Sequence, residues 1–510
     1  MDFNKLKARQ RQDEISFGVR ASLKAPTIKG NRDGDLPYEK IKRWQCVLDR
    51  NRIVLGLNRL GILCLSLVLI FVLGACEDLE DLVDKPTDNG QSGAYKLYES
   101  VGIQISGRSG ENIQFGDYFS DMTEVWSGNR AAGDGTGFGD FRVTLPVNIE
   151  VSDSQDDTLI VKDIFGDNKF TWQRLESLSD QARRVGGVFE VDMPVLIRVS
   201  DSKRILIDVE DIFGDNSFTW TVDTTDTILD VGQIVGGVGG PFRIAMSVTI
   251  EVFDSQDVEV DVEDVFCDMN FTWNGGAQSS ASFVGGSMGI EMPLTFRVER
   301  SERVRINLED TAGDMKLNWT AGGSEVVGGP IRFDVPTNFI VVNSRDVNID
   351  FEDQAGDNIL NWVLKGQGQN PTPPQLNTPV TASTPAVFRV IDSRGVKINS
   401  EDFFGDNVFV WKGPFPQEAR PGLDVAVSVW APTTFEVKVS QDVNIDAEDV
   451  YGDNVFAWYP PNIDQASPLP ASVYKVVGDV RRDVVGSDSV IIEFANLNKG
   501  NQYLWGPAPE

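Results

Sequence analysis

The sequence predicts an all-β tandem-repeat fold, and three features carry that prediction. Nine of the 11 tryptophans, at positions 126, 172, 220, 273, 319, 362, 411, 458 and 505, stand 43 to 53 residues apart, a period near 47. Self-similarity at a fixed period of this size marks an array in which each repeat is one supersecondary unit. Ahead of the tryptophans run strictly alternating segments, such as Phe141, Val143, Leu145, Val147, Ile149 and Val151; an apolar period of two is the mark of a half-buried strand. Between them no stretch carries the 3.6-residue period of an amphipathic helix.

The elements of a unit follow in a fixed order. The alternating segment comes first, as again in Phe242, Ile244, Met246, Val248, Ile250 and Val252. Several copies carry proline at a polar-face position (Pro146, Pro194, Pro293). Proline cannot donate to a ladder, so this strand is expected to be kinked or to lie at a sheet edge. A short turn follows (Asp201-Ser202; Asp254-Ser255-Gln256-Asp257), then a second alternating strand such as Val258, Val260 and Val262. An acidic glycine turn leads into a short strand ending in tryptophan, and a fourth short strand is expected where spacing is tight, as at 320–329. Phe218 and Trp220, like Phe409 and Trp411, stand two apart and so face one side, which assigns the indoles to the core.

Four short strands per unit of about 47 residues is the arithmetic of a β-propeller. A β-solenoid, in which units stack and turns become corners, is the alternative. Nine units exceed the usual four to eight blades, and the atypical first and last units suit a capped open stack, but a 47-residue coil is long. The expectation is a propeller narrowly ahead of a solenoid, with a string of small β-modules or a barrel behind both.

Composition limits function. The chain of 510 residues has 41% hydrophobic and 24% charged residues, close to a soluble globular average, with 46 Lys+Arg against 77 Asp+Glu, a formal charge of -31. So acidic a surface repels phosphate backbones, which excludes nucleic acid as a partner. There is no histidine. That removes imidazole acid/base chemistry, Ser-His-Asp and Cys-His nucleophiles, and histidine zinc sites. No G-x-S-x-G, S-x-x-K or phosphate-binding glycine loop stands out. Paired carboxylates serve glycoside hydrolysis, but here equivalent acids recur in unit after unit, which argues for structure or multivalent binding over one asymmetric catalytic site.

The one long apolar run, Leu60 to Ala75, is preceded by Arg50, Arg52 and Arg59 and followed by Cys76 and the acidic stretch EDLEDLVD. Basic flank, short apolar stretch, small residues and a change of sign form a signal-peptide layout, and the run falls short of the roughly 20 residues that span a bilayer. Leu73-Gly74-Ala75-Cys76 resembles the lipobox of bacterial lipoproteins; the resemblance implies that Cys76 is lipidated and becomes the first mature residue. An uncleaved signal anchor and a buried core helix are the alternatives. Residues 1–47 then read as a cytoplasmic tail or as sequence upstream of a misassigned start, 48–75 as the signal segment, 76–93 as a flexible acidic tether, and 94–510 as the all-β repeat domain. From Cys76 onward 32 basic and 70 acidic residues remain, and Cys267 is left without a cysteine partner, so core packing or metal must stabilise the domain.

The acidic turns carry the candidate site residues. Asp stands nine and five positions before the tryptophan in eight of nine units, in phrases such as EDIFGDNSFTW at 210–220. The candidate metal ligands are Asp163, Asp167, Glu210, Asp211, Asp215, Asn216, Asp264, Asp268, Asp310, Asp314, Asp353, Asp357, Asp402, Asp406, Asp449 and Asp453. Such clustered oxygens suit Ca²⁺, which takes six to eight of them. The competing reading is turn chemistry: Asp and Asn beside glycine bond their own backbone amides and make a hairpin, with no need of metal. Met122, Met269 and Met315 replace the Asn in three units, which favours the turn reading. Trp430 lies outside the period and is the candidate exposed contact.

Taken together, the sequence predicts an exported, lipid-anchored protein of the bacterial cell envelope, periplasmic or at the cell surface. Its role is expected to be non-catalytic, in binding or structure, through an acidic repeat array, with the membrane and a protein or glycan as partners. The alternatives are a carbohydrate-binding or glycan-active propeller and a calcium-stiffened surface adhesin.

Overall fold

The computed structural model describes residues 94–116, 118–127, 140–174, 186–222, 238–263, 265–266, 268–275, 284–309, 313–321, 326–352, 356–364, 375–376, 379–401, 406–412, 427–448, 454–459, 474–495 and 502–505. The expected tail, signal segment and tether, including Cys76, lie outside them, as does Cys267. Among the described residues every regular element is a strand.

Nine repeats each place one strand in each of four nine-stranded sheets. In the third repeat the strands are Phe189–Asp192, Val195–Ser200, Lys203–Glu210 and Asn216–Val222. Each lies between its equivalents in the repeats before and after: Val195 is opposite Val147 and Val248, and Trp220 is opposite Trp172 and Trp273. All described pairings are parallel and join different repeats. The acidic glycine turn therefore does not close a hairpin. Its flanking strands belong to different sheets, so it is a corner.

The alternating 11-residue segment is two strands, not one. Phe141–Thr144 lies in the first sheet and Val147–Ser152 in the second, with Leu145-Pro146 as the break. The expected kink is there, but the strand after it is flanked on both sides, so it is not an edge. Proline is tolerated because it occupies the corner, where its carbonyl still serves the ladder: the Val147 amide donates to Pro194 O at 2.9 Å and that of Val248 to Pro293 O at 3.1 Å. At 320–329 the extra element is the pair Val326–Val327 with Gln375–Leu376, outside the four large sheets.

The next corner is built by serine. Asp201 and Asp254 adopt left-handed φ of 49° and 47°, and the buried serines that follow them form a column. Ser202 Oγ donates to Ser200 O at 2.6 Å and accepts the Ser154 amide at 3.1 Å. Ser255, Ser301, Ser344, Ser393 and Ser440 repeat the pattern. A buried hydroxyl is thereby satisfied, and neighbouring repeats are locked in register.

The interior is a set of like-on-like columns. In the inner repeats alternate side chains of the strands point inward, as where Val195, Ile197 and Val199 are buried while Leu196, Arg198 and Ser200 are half-exposed. The indoles of Trp126, Trp172, Trp220, Trp273, Trp319, Trp362 and Trp411 stack in one run with centroids 5.0 to 5.2 Å apart. Phe170, Phe218 and Phe271 stack beside them at 5.3 and 5.1 Å. Burying each ring contributes a few kcal/mol, and each stacked pair about 1 kcal/mol more. Those terms must offset the buried, unpartnered Nε1 of Trp220 and Trp362.

The spacing has a hidden regularity. From the first residue of the first-sheet strand of a repeat to its tryptophan, as from Tyr95 to Trp126, Phe141 to Trp172, Ile331 to Trp362 and Tyr474 to Trp505, is always 31 residues. All variation in the repeat length falls between one tryptophan and the next first-sheet strand.

Candidate functional site

The acids five positions before the tryptophans form a surface column at the corner between the third and fourth sheets. Each carboxylate accepts the backbone amide of the equivalent aspartate in an adjoining repeat. Asp121 Oδ1 accepts from Asp167 at 3.0 Å, Asp167 from Asp215 at 2.7 Å, Asp215 from Asp268 at 3.0 Å, and Asp268 from Asp314 at 2.9 Å. Asp314 accepts from Asp357 at 2.7 Å and Asp357 from Asp406 at 2.6 Å. The aspartates therefore supply ladder bonds that the turn backbone could not make alone, at the cost of placing like charges in neighbouring repeats.

Asn216 belongs to the interior. It is 2% exposed, its Nδ2 donates to Phe213 O at 2.6 Å and Gly214 O at 2.7 Å, and its Oδ1 accepts the Asn168 amide at 3.0 Å. Met269 and Met315, its counterparts, are buried too. Amide and thioether exchange here because the position faces the core. Asp163 and Asp211 take left-handed φ of 53° and 51°, which suits Asp at a tight corner. Glu210 pairs with Lys162 in the preceding repeat. Asp264, Asp310, Asp353, Asp402, Asp449 and Asp453 lie outside the described residues.

Carboxylates converge at two places among the described residues: Asp121, Asp163 and Asp167, whose oxygens lie within 4.8 Å of one another, and Asp446, Glu448 and Glu493. The sequence pattern included Asp163 and Asp167 but passed over Asp121, although the same spacing rule, five before Trp126, contains it. In the second group Asp446 and Glu448 are neighbours in sequence at the end of the strand Gln441–Ala447, and Glu493 is brought opposite Asp446 by register, which no local phrase reveals.

No protein family, curated protein or solved structure matches this chain. The site therefore rests on its own geometry.

Opposite charges occupy other columns. Arg198 lies between Glu150 (3.7 Å) and Glu251 (2.5 Å), Arg303 bonds Asp257 at 2.5 Å, and Arg389 bonds Glu436 at 2.7 Å. Exposed pairs of this kind contribute little each, but a one-repeat slip would set like charges together, so they favour the correct neighbour. A shallow groove of about 260 Å³ on the third sheet is lined by Glu259, Val260, Asp261, Arg305, Asn307 and Asp350. No aromatic ring is among these lining residues. Trp430 is 51% exposed, on the first-sheet strand Val427–Trp430.

The two kinds of column respond oppositely to acid. Burial first, then neighbouring carboxylates, raise Asp215, Asp314 and Asp357 above the ordinary aspartate value. Such a group keeps its proton in the folded array at a pH where the unfolded chain has lost it, so acidification through that window favours folding. Hydrogen bonds from arginine or lysine lower Asp254, Asp257 and Glu436, and those from Arg204 and then Gln155 bring Asp156 to about 2. Their stabilisation is complete above the ordinary carboxylate range and is lost as pH falls through their lowered values. Tm is therefore expected to rise as pH falls from 7 toward the ordinary aspartate value of about 4 and to fall below about pH 3. Replacing Asp215, Asp314 and Asp357 together by Asn keeps the acceptor oxygens and should add about 0.5 kcal/mol per site at pH 7, after solvent screening, while flattening the rise. Calorimetry across pH on both proteins checks this; an equally steep rise in the variant would contradict it.

Proposed function

We propose that this chain is an exported, lipid-anchored protein of the bacterial cell envelope whose repeats form an open stack of coils, a β-solenoid, with a non-catalytic binding or structural role. One observation carries the open-stack reading: among the described residues every strand pairs with its equivalent in a neighbouring repeat and none with a strand of its own repeat, and the sheets run in linear order with the first and last repeats at opposite ends; the anchoring part rests on the apolar run Leu60 to Ala75 and on Leu73-Gly74-Ala75-Cys76. A propeller blade would pair its own strands side by side. Residues equivalent by sequence then meet equivalent surroundings in repeat after repeat, as the aspartate, serine and indole columns do, which suits a scaffold or multivalent surface better than one catalytic centre.

Anchoring is tested in a bacterial host by fractionation and radiolabelled palmitate. The intact chain should take up label and partition with membranes. Cys76→Ser should abolish labelling at that residue, and unchanged labelling would end the lipoprotein reading.

A second reading, that cations stiffen the array, draws on the convergence of Asp121, Asp163 and Asp167. Ca²⁺ held there would raise Tm relative to EGTA, by about 2.7 kcal/mol of stabilisation at a hundredfold excess over Kd. Equal melting temperatures in the two solutions would remove it. No comparable feature favours a glycan partner.

A further inference from the structure

We propose that the last repeat of one molecule pairs, strand for strand and in parallel, with the first repeat of a second copy, so that the protein associates head to tail. The inference builds on the open-stack reading above.

The two ends of the array are where apolar surface is left over. Of the 12 large hydrophobic side chains exposed among the described residues, six (Val477, Val480, Val484, Val485, Ile491 and Leu504) lie in the last repeat, and Tyr98 and Val125 lie in the first. Among the described residues, both ends also present strand backbone with no ladder partner. Thr433 donates its amide to Asp479 O of the last repeat at 2.9 Å, and Val480 occupies the same column one repeat on. By the alternation of a parallel ladder, the amides of Val480, Arg482 and Val484 therefore face the open edge. At the other end, Gly102, Gln104 and Ser106 are the positions whose backbone faces outward by the same alternation.

The second copy is the occupant that fits because its first repeat continues every column in register. Carrying the pairings forward sets Val480 on Val101, Val484 on Ile105, Ile492 on Ile113 and Phe494 on Phe115. All four contacts are apolar on apolar. The last-repeat strands are 4, 6, 7 and 4 residues long and the first-repeat strands 4, 6, 5 and 5. That matches the roughly 20–30 residues a side of a standard protein–protein interface. Because the joined surfaces differ, each addition leaves a new free end, and growth is open-ended rather than closed at a dimer.

Lys475 and Arg482 both oppose the contact: Lys475 would face Lys96 of the second copy, and like charges directly opposite destabilise a strand pair. Arg482 stands in the column that holds Phe296, Phe339, Phe388 and Phe435, and it would meet Ile103 of the second copy. An inward charge on a terminal strand restrains edge pairing, so association is reversible and concentration-dependent.

The test is sedimentation velocity of the full chain in detergent, which shields the apolar run at 60–75. Weight-average mass should rise with concentration beyond two chains. Arg482→Phe should shift the rise to about tenfold lower concentration by removing a buried unpaired charge. Arg482→Pro removes an edge donor and no internal bond, and should hold the protein at one mass; Val484→Lys does the same if the proline variant does not fold. A chain carrying Gln104→Cys and Asp483→Cys, residues brought opposite each other by the proposed register, should give a ladder of oxidised multimers that neither single variant gives. A mass independent of concentration, or one unmoved by the Arg482 and Val484 variants, overturns the proposal. The stack itself is read separately through Glu436→Cys with Asp483→Cys, paired within one molecule: an internal disulfide there without intermolecular ladders would reject self-association and leave the open stack standing.

Discussion

Alanine at Trp319 is expected to lower the unfolding free energy by about 4 kcal/mol, the upper part of the range for removing a large aromatic from a core. The indole is 2% exposed and stacks at 5.1 Å on both Trp273 and Trp362, so the substitution opens a cavity and interrupts the column in both directions. In an array stabilised by nearest-neighbour contacts, a break in the middle also uncouples the two sides. Thermal unfolding of Trp319→Ala followed by circular dichroism should show a lowered midpoint and a transition split into two. Trp126→Ala is the control. That indole is only part-buried, and its single neighbour in the indole column is Trp172 at 5.0 Å, so its loss should cost less than half as much. Equal costs at the two positions would mean that the column does not stabilise the array cooperatively.

Alanine at Gly214 should be nearly as damaging for a different reason. The residue has a φ of +71°, and an added Cβ would stand 2.3 Å from Gly166 O and 2.9 Å from the Asp163 carboxylate. The carbonyl belongs to backbone of the adjoining repeat and cannot rotate aside as a side chain would. Strain in the left-handed region and displacement of the neighbouring turn together should cost about 3 kcal/mol. Gly102→Ala, where nothing lies within 4 Å of the new atom, should change stability by less than about 0.5 kcal/mol. Chemical denaturation of the pair checks the contrast; a Gly214 variant as stable as the Gly102 variant would show that successive acidic corners do not nest as described.

Much of this architecture is legible in the residues. Alternation marks the strands, the glycine turns mark where strands end, and the spacing of tryptophans marks the repeat, because each reflects local backbone or burial chemistry; whether such a turn closes a hairpin or makes a corner is not marked. Pairing partners are not legible in the same way. A strand such as Val258, Val260 and Val262 shows one apolar face whether its neighbour is antiparallel in its own unit or parallel in the next. Pro146 is ambiguous in sequence for a related reason: a missing amide donor is compatible with an edge, a kink or a corner, and only the sheet assignments on its two sides distinguish them. Ser202 reads as an ordinary turn residue, since its burial depends on Ser154 and Ser255 from other repeats. Among the acids, the turn phrase places Asp163 and Asp167 as neighbours, but Glu493 is brought to Asp446 and Glu448 by register alone. Asn216 looks like a ligand beside Asp215 and proves to face the opposite side of the chain.

The invariant 31-residue run from first-sheet strand to tryptophan has an evolutionary corollary. Length varies in one connection alone, between a tryptophan and the next first-sheet strand, so insertions there leave every ladder intact, whereas a single-residue deletion within a strand would turn the rest of it inside out. Recombination that excised or duplicated one whole module would join compatible columns at the seam, giving a lineage of such proteins a route to longer or shorter arrays without passing through a misfolded intermediate.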